Sequence, residues 1–306
     1  MDGFNAPPSN EIQLRLLLPR LYAMLEEDVG SGDVTTNALV SSTQQAHARV
    51  TARQPGVIAG TALGAILLRD LGLSVTKCLA DGTRVTTNAT VLEATGPAGT
   101  LLTVERTLLN LLMHMSGIAT LTAAMVAAAH RVNPRVRVAA TRKTAPLLRV
   151  FDKLAVIAGG GDPHRWRLDD AVLIKDNHLA MAGSVTEAVN AARRRVSFTK
   201  LIEVEVHSSK QALAAVQAGA DAVLLDNMTP ADVTATVKAV HDLAIAHQPS
   251  LEVSGNITLE TIADYAATGV DIVSAGCLTH SAPALDMALD LTPTKTTRPA
   301  GRQERK

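Results

Sequence analysis

The sequence predicts an α/β protein: an open (incomplete) α/β barrel with an N-terminal α+β sandwich domain. Three observations lead there. After Pro134, short runs rich in Val, Leu and Ile alternate with helical runs, the rhythm of buried parallel strands. Polar residues gather at the carboxyl ends of those strand runs: Arg142 and Lys143, Lys175 to His178, Glu205 and His207, Asp226 and Asn227, Ser254 to Asn256, and Gly276. Functional groups at the end of every strand mark a barrel face, whereas a doubly wound sheet collects them at one switch point. Before residue 113 the pattern differs, with β-type runs punctuated by Gly, Pro, Asp-Gly and Asn. Only six strand signals fall in the barrel region, so the barrel is expected to be open.

Composition limits the function classes. A chain of 306 residues that is 47% hydrophobic has a sizeable core in one large or two smaller domains. Its formal net charge of +0 argues against a general nucleic-acid binder, and an aromatic content of 2% leaves little for base stacking. Cys78 and Cys277 lie in apolar contexts without metal spacing and read as buried free thiols of a reducing, cytoplasmic compartment. Charged residues interrupt the N-terminal stretch, and no apolar run reaches the roughly 18 residues of a membrane span.

In chain order, residues 1–10 read as a mobile lead. Leu14, Leu17, Leu18, Leu21, Met24 and Leu25 give Glu11 to Glu27 the spacing of one amphipathic helix. The acidic, glycine-broken stretch Glu26 to Thr36 reads as a turn, or as a metal or hydroxyl site. Strand runs follow at Ala46–Ala52, Val57–Ala59, Ser74–Cys78 and Thr90–Ala94, with a helix at Ala62–Leu71. Gly96 to Gly99 marks a turn, and Leu102 to His130 is a long helical pattern broken at Ser116-Gly117. Arg106 on that helix either snorkels to the surface or faces a ligand. Barrel strands are expected at Arg137–Ala140, Ala171–Lys175, Leu201–Val206, Ala222–Asp226, Leu251–Ser254 and Asp271–Ala275. Helices are expected at Val185–Arg195, Lys210–Ala218, Pro230–Leu243 and Leu259–Ala267. Ala282 to Leu291 reads as a last helix, and Thr292 to Lys306 as a disordered basic tail.

The chemistry concentrates between Thr141 and His178. Arg142, Lys143 and Arg149, then His164 and Arg165, then Lys175 and His178 flank apolar runs, with Gly159-Gly160-Gly161 between them. Arg offers a planar fork for carboxylates and phosphates, and Lys a point charge, so the cluster points to a pocket for a polyanionic ligand.

Eight motifs in order then carry a resemblance: Glu27 to Thr36, Glu105-Arg106 with Asn110, Thr141 to Thr144, Gly159 to Arg165, Leu173 to His178, Glu203-Val204-Glu205, Leu225-Asp226-Asn227, and Ser254-Gly255-Asn256. The chain resembles the quinolinate phosphoribosyltransferase family over about residues 10–291. The resemblance implies an N-terminal domain of residues 1–112 completed by about 281–306, and a barrel domain of residues 113–280. It implies joining quinolinate to 5-phosphoribosyl-1-pyrophosphate with Mg²⁺ (Mg2+), giving nicotinate mononucleotide, CO₂ and pyrophosphate for NAD biosynthesis. It also implies a homodimer or higher homo-oligomer in which Arg106 reaches the neighbouring site.

On that basis Arg106, Arg142 and Arg165 clamp the dicarboxylate, while Lys143, Lys175 and His164 complete the cationic wall. Lys143, Lys175, Glu205 and Asp226 are the expected catalytic residues; Glu205 and Asp226 are also the metal ligands and hold ribose hydroxyls. Ser254, Gly255, Asn256 and Gly276 suit the 5′-phosphate. Three departures stand out: Pro163 where the family often has Asn, and Leu147 and Arg167 where it often has glycine. Two other functions fit a cationic pocket, a phosphoribosyltransferase acting on nicotinate itself and a non-catalytic oxyanion-binding protein. The pairing of Glu205 with Asp226 argues for the enzyme.

Overall fold

In the computed structural model, residues 11–245 and 247–294 are described. They form two compact units: one runs through Gly117 and resumes at Ala284, and the other is Ile118–Pro283. The expectations for residues 1–10 and for the tail from 295 onward lie outside the described residues.

The first unit opens with α1 (Glu11–Arg15), α2 (Leu18–Val29) and α3 (Val34–Leu39). One helix was expected over the first two. Pro19 divides it: proline has no N–H to donate and is tolerated only in a first turn, which is where α2 places it. The acidic stretch that follows is spent on capping. Asp33 Oδ1 accepts the Thr36 N–H at 2.9 Å, and Thr36 hydrogen bonds hold its carboxyl below the ordinary carboxylate pKa.

Next come β1 (Gln45–Ala52), β2 (Gly56–Val57), α4 (Thr61–Asp70), β3 (Ser74–Cys78), β4 (Arg84–Val85) and β5 (Thr90–Pro97). Helix α5 (Ala98–His130) starts directly after β5, so no separate turn occupies residues 96–99. It also runs unbroken through Ser116-Gly117, because the Ser116 hydroxyl is used on the backbone of Ala59, at 3.0 Å from its N–H.

With the chain's last strand, β12 (Met287–Pro293), this unit builds an antiparallel sheet ordered β12-β1-β5-β3. The segment expected as a final helix is therefore a strand. Its Ala, Leu and Met favour helix locally, but pairing from Ala46↔Pro293 to Ala52↔Met287 overrides that preference. Thr292 and Pro293, expected in the tail, belong to the same strand. Cys78 is exposed and Cys277 half-buried, so both thiols are free but neither is in the core. Helix α5 is, by length and composition, apolar enough to cross a membrane, contrary to the expectation that no run qualifies; 61% of its most apolar window is buried in the protein.

The second unit holds six parallel strands: β6 (Arg137–Ala139), β7 (Val172–Ile174), β8 (Ile202–Val206), β9 (Ala222–Asp226), β10 (Ser250–Ser254) and β11 (Ile272–Ser274). Around them lie α6 (Arg149–Ala158), α7 (Asp176–Ala182), α8 (Val185–Arg195), α9 (Ser209–Gln217), α10 (Pro230–His241), α11 (Ile262–Ala266) and α12 (Cys277–His280). Ser184, Ser208 and Thr229 cap α8, α9 and α10 by accepting backbone N–H groups.

The strand order is β6-β11-β10-β9-β8-β7. β6 closes onto β11, but among the described residues β6 and β7 do not pair, so the barrel is open there. Gly161-Asp162 runs beside β6 instead, through Asp162 N–H to Val138 O at 2.8 Å and Ala140 N–H to Asp162 O at 2.9 Å. The glycines beside it are a packing device rather than an anion cradle. A Cβ on Gly159 would lie 2.5 Å from Ala119 O, and one on Gly161 2.6 Å from Thr122 Cγ2.

Candidate active site

The loops after the barrel strands enclose a cavity of about 300 Å³. Arg142, Lys143, His164, Arg165, Lys175, Glu205, Asp226 and Ser254 all line it, joined by Thr141, Glu252 and Ser274. These residues follow six different strands, and barrel topology brings their carboxyl ends to one face.

The cationic wall comes from the chain that crosses the barrel opening. Among the described residues, the Nε–H groups of Arg142 and Arg165 are buried without a hydrogen-bond partner. Burying such a donor unpaired is costly, so the arrangement suits an acceptor arriving with a ligand. Arg165 uses another guanidinium nitrogen to hold Ala171 O at 3.0 Å, which fixes its stem. Burial pulls the Arg165 pKa down, with nearby Arg142 adding to the effect against the pull of Glu203.

Opposite lie the carboxylates. Glu205 is buried at the end of β8, and Lys175 Nζ sits 2.5 Å from its Oε2. Asp226 ends β9, 3.6 Å from His207 Nδ1. One donor atom from each of Glu205, His207 and Asp226 falls within a 4.8 Å span, which suits a cation.

Gly255 and Asn256 do not line the cavity but tie two strand ends together. At Gly255 the backbone has φ +108°, and a Cβ would come within 2.4 Å of Asn227 Oδ1. Only glycine allows that approach. Asn256 Nδ2 donates to Asn227 Oδ1 at 3.3 Å. Gly276 abuts the wall from outside it: a Cβ there would meet the Lys143 side chain at 3.1 Å. Arg106 is exposed on α5 in the other unit and makes no hydrogen bond or ion pair among the described residues. Arg149 is absorbed by the loop, donating to Thr144 Oγ1 and to Trp166 O. Arg167 is exposed and outside the cavity lining. At Leu147 the backbone is left-handed, φ +65°, which accounts for the glycine often found there.

Sequence reasoning gave Glu252 no role and Glu203 none beyond its motif, yet both meet His164 at the cavity. Glu203 and Glu252 sit within β8 and β10, and His164 Nε2 approaches Glu252 Oε2 at 3.0 Å and Glu203 Oε2 at 3.9 Å. Ser274 Oγ donates to Glu252 Oε1 at 2.5 Å. Burial and the charge of Glu252 push the Glu203 pKa up to about 8. Burial acts on Glu252 in the same direction, but hydrogen bonds from His164 and Ser274 hold it below the ordinary value. The available signal was an acid in the middle of an otherwise apolar strand, as in Leu251-Glu252-Val253.

The chain is similar to known proteins along most of its length. A family model for the C-terminal domain of quinolinate phosphoribosyl transferase matches residues 118–290, and one for the N-terminal domain matches residues 33–116. The probable nicotinate-nucleotide pyrophosphorylase [carboxylating] of Methanothermobacter thermautotrophicus is 44% identical over 268 residues, covering 88% of this chain and 96% of that protein. The human nicotinate-nucleotide pyrophosphorylase [carboxylating] is 41% identical over 256 residues, covering 83% and 85%. The crystal structure of NadC from Streptococcus pyogenes superposes with a TM-score of 0.87 at 39% identity, covering 94% of this chain and all (100%) of that one.

Proposed function

The chain belongs to the quinolinate phosphoribosyltransferase family, and we propose that it is the carboxylating pentosyltransferase of NAD biosynthesis. It joins quinolinate to 5-phosphoribosyl-1-pyrophosphate and releases nicotinate mononucleotide, CO₂ and pyrophosphate. The observation that carries this beyond family membership is that Arg142 and Arg165, whose buried Nε–H groups have no partner among the described residues, line one cavity with Glu205 and Asp226. A dicarboxylate satisfies both forks.

Arg142 and Arg165 orient the pyridine ring with its nitrogen toward C1 of the ribose; such positioning can lower a barrier by roughly 7–11 kcal/mol when alignment is ideal. As the C1–O bond to pyrophosphate breaks, positive charge grows on C1 and the ring oxygen, and Glu205 and Asp226 stabilise it. Lys143 and Lys175 offset the negative charge of the departing pyrophosphate. The nitrogen lone pair then forms the N–C1 bond, leaving a cationic ring. The C2–carboxylate bond breaks next; its electron pair stays at C2, stabilised by the adjacent cationic nitrogen, and takes up a proton as CO₂ departs. Ser254 lines the cavity, which supports its assignment to the 5′-phosphate.

Glu205 and Asp226 fit Mg²⁺, because they are carboxylates on neighbouring strands whose donor atoms lie within one ion's reach. When bound, the ion neutralises pyrophosphate oxygens. A homodimer is supported by the exposed, unpaired Arg106, which is available to a second copy. A cytoplasmic location is supported by two free thiols.

The test is CO₂ release from carboxyl-labelled quinolinate, omitting each component in turn. Release that requires quinolinate, phosphoribosyl pyrophosphate and Mg²⁺ together is expected. Transfer to nicotinate at a comparable rate would overturn the assignment.

A further inference from the structure

The two cavity carboxylates are held by different means. Lys175 grips Glu205 at Oε2, whereas among the described residues the Asp226 carboxylate receives one hydrogen bond, from Asn227 Nδ2 to Oδ2 at 2.7 Å. His207 Nδ1, at 3.6 Å from the same oxygen, is too far to share it. Asp226 Oδ1 is thereby left to a ligand.

The direction of the Asn227 amide follows from its partner. An ionised carboxylate only accepts, so the Asn227 NH₂ group faces Asp226 and its carbonyl oxygen faces away. That oxygen accepts a second hydrogen bond, from Asn256 Nδ2 at 3.3 Å. The amides therefore run one way, Asn256 to Asn227 to Asp226, across the carboxyl ends of β10 and β9. Backbone joins the same two ends, with Asn227 N–H on Ser254 O at 2.9 Å.

Both asparagines are left-handed, φ +53° at Asn227 and +50° at Asn256, a region Asn enters more readily than most residues. Glycine would meet that requirement at least as well. The amide is a further requirement, and it has its own seat: the close approach that Gly255 permits is to this same Asn227 Oδ1.

We propose that Asn227 is a positioning residue: its amide, seated on Gly255 and held by Asn256, fixes the plane of the Asp226 carboxylate and leaves the second oxygen for the ribosyl group. This role rests on Asp226 stabilising the charge that grows at C1. Asn227 acts on the reaction only through Asp226, and Asn256 only through Asn227.

Asn227→Gly in the full-length enzyme separates the amide from the backbone, because glycine keeps the left-handed turn and loses the donor. It should lower kcat about tenfold while the quinolinate KM stays within about twofold. Asn227→Asp, which keeps the shape and cannot donate when ionised, should lower kcat at least as far. An undiminished kcat in Asn227→Gly would overturn the proposal and leave Asn227 a turn former. In an Asp226→Ala background, adding Asn227→Gly should change kcat by less than about twofold. Multiplying effects would overturn the proposal, since Asn227 would then act on its own account.

A crystal structure of Asn227→Gly reads the same claim without turnover. The Asp226 carboxylate should turn from the plane it holds in the parent, and an unmoved carboxylate would overturn the proposal whatever the kinetics. An undiminished kcat in Asp226→Ala would instead overturn the assignment of Asp226, while the crystal structure still decides whether Asn227 orients it.

Discussion

Two groups of the same composition, a histidine and two carboxylates, are held by strands β8 to β10 of this barrel and the loops around them, and differ in what surrounds them. Glu205, His207 and Asp226 lie at strand ends; Glu205 and Asp226 line the cavity, Asp226 half-buried, and His207 is exposed beside them. Glu203, Glu252 and His164 lie deeper, with both acids buried in the strands and paired to His164 and Ser274. Residues two apart on a parallel strand point the same way, so Glu203 and Glu205 share a face of β8 and differ only in depth. Depth decides the job. The upper group keeps oxygens that a ligand can use, whereas Glu252 in the lower group is held by His164 and Ser274.

That contrast predicts opposite signatures. Glu252→Ala strips the partner from a buried histidine and should cost about 3–5 kcal/mol in urea unfolding. Asp226→Asn should leave stability within about 0.5 kcal/mol but lower kcat by roughly 10²–10³. Finding the stability loss at Asp226 and none at Glu252 would reverse the roles of the two groups.

Lys153 sharpens the comparison through pH. Burial and the charge of Arg149 lower its pKa to about 8 from an ordinary 10.5. Between those values the unfolded chain binds more protons than the folded one, so the Lys153 contribution to stability rises with pH across that window. Below pH 8 both states are protonated and the full penalty for burying the charge is present. Denaturant unfolding from pH 8 to 10 should therefore show an increase that Lys153→Met flattens. The smallest expected effect is at Leu147, 88% exposed and left-handed, where Leu147→Gly should stabilise by at most about 1 kcal/mol.

The barrel was legible because its strands are short apolar runs with polar ends, and Ala222–Asp226 emerged with the bounds expected. The cavity wall was legible because Arg142, Lys143 and Lys175 stand where such runs stop. What the sequence concealed depends on partners distant in the chain. Met287–Pro293 has helical composition and becomes a strand only because β1 offers an edge. Ser116-Gly117 looks like a break, yet the Ser116 hydroxyl finds a partner 57 residues away. Gly159 and Gly161 resemble an anion-binding loop and instead admit the close approach of α5. The bond between His164 and Glu252, 88 residues apart, has no local signature.

Arg142→Ala tests the cavity assignment most directly, through separate KM values for the two substrates. Loss of a charged hydrogen-bonding fork should raise the quinolinate KM by roughly a hundredfold while the phosphoribosyl pyrophosphate KM moves less than about threefold. Equal increases in both, or an increase confined to phosphoribosyl pyrophosphate, would contradict the placement of the dicarboxylate against Arg142.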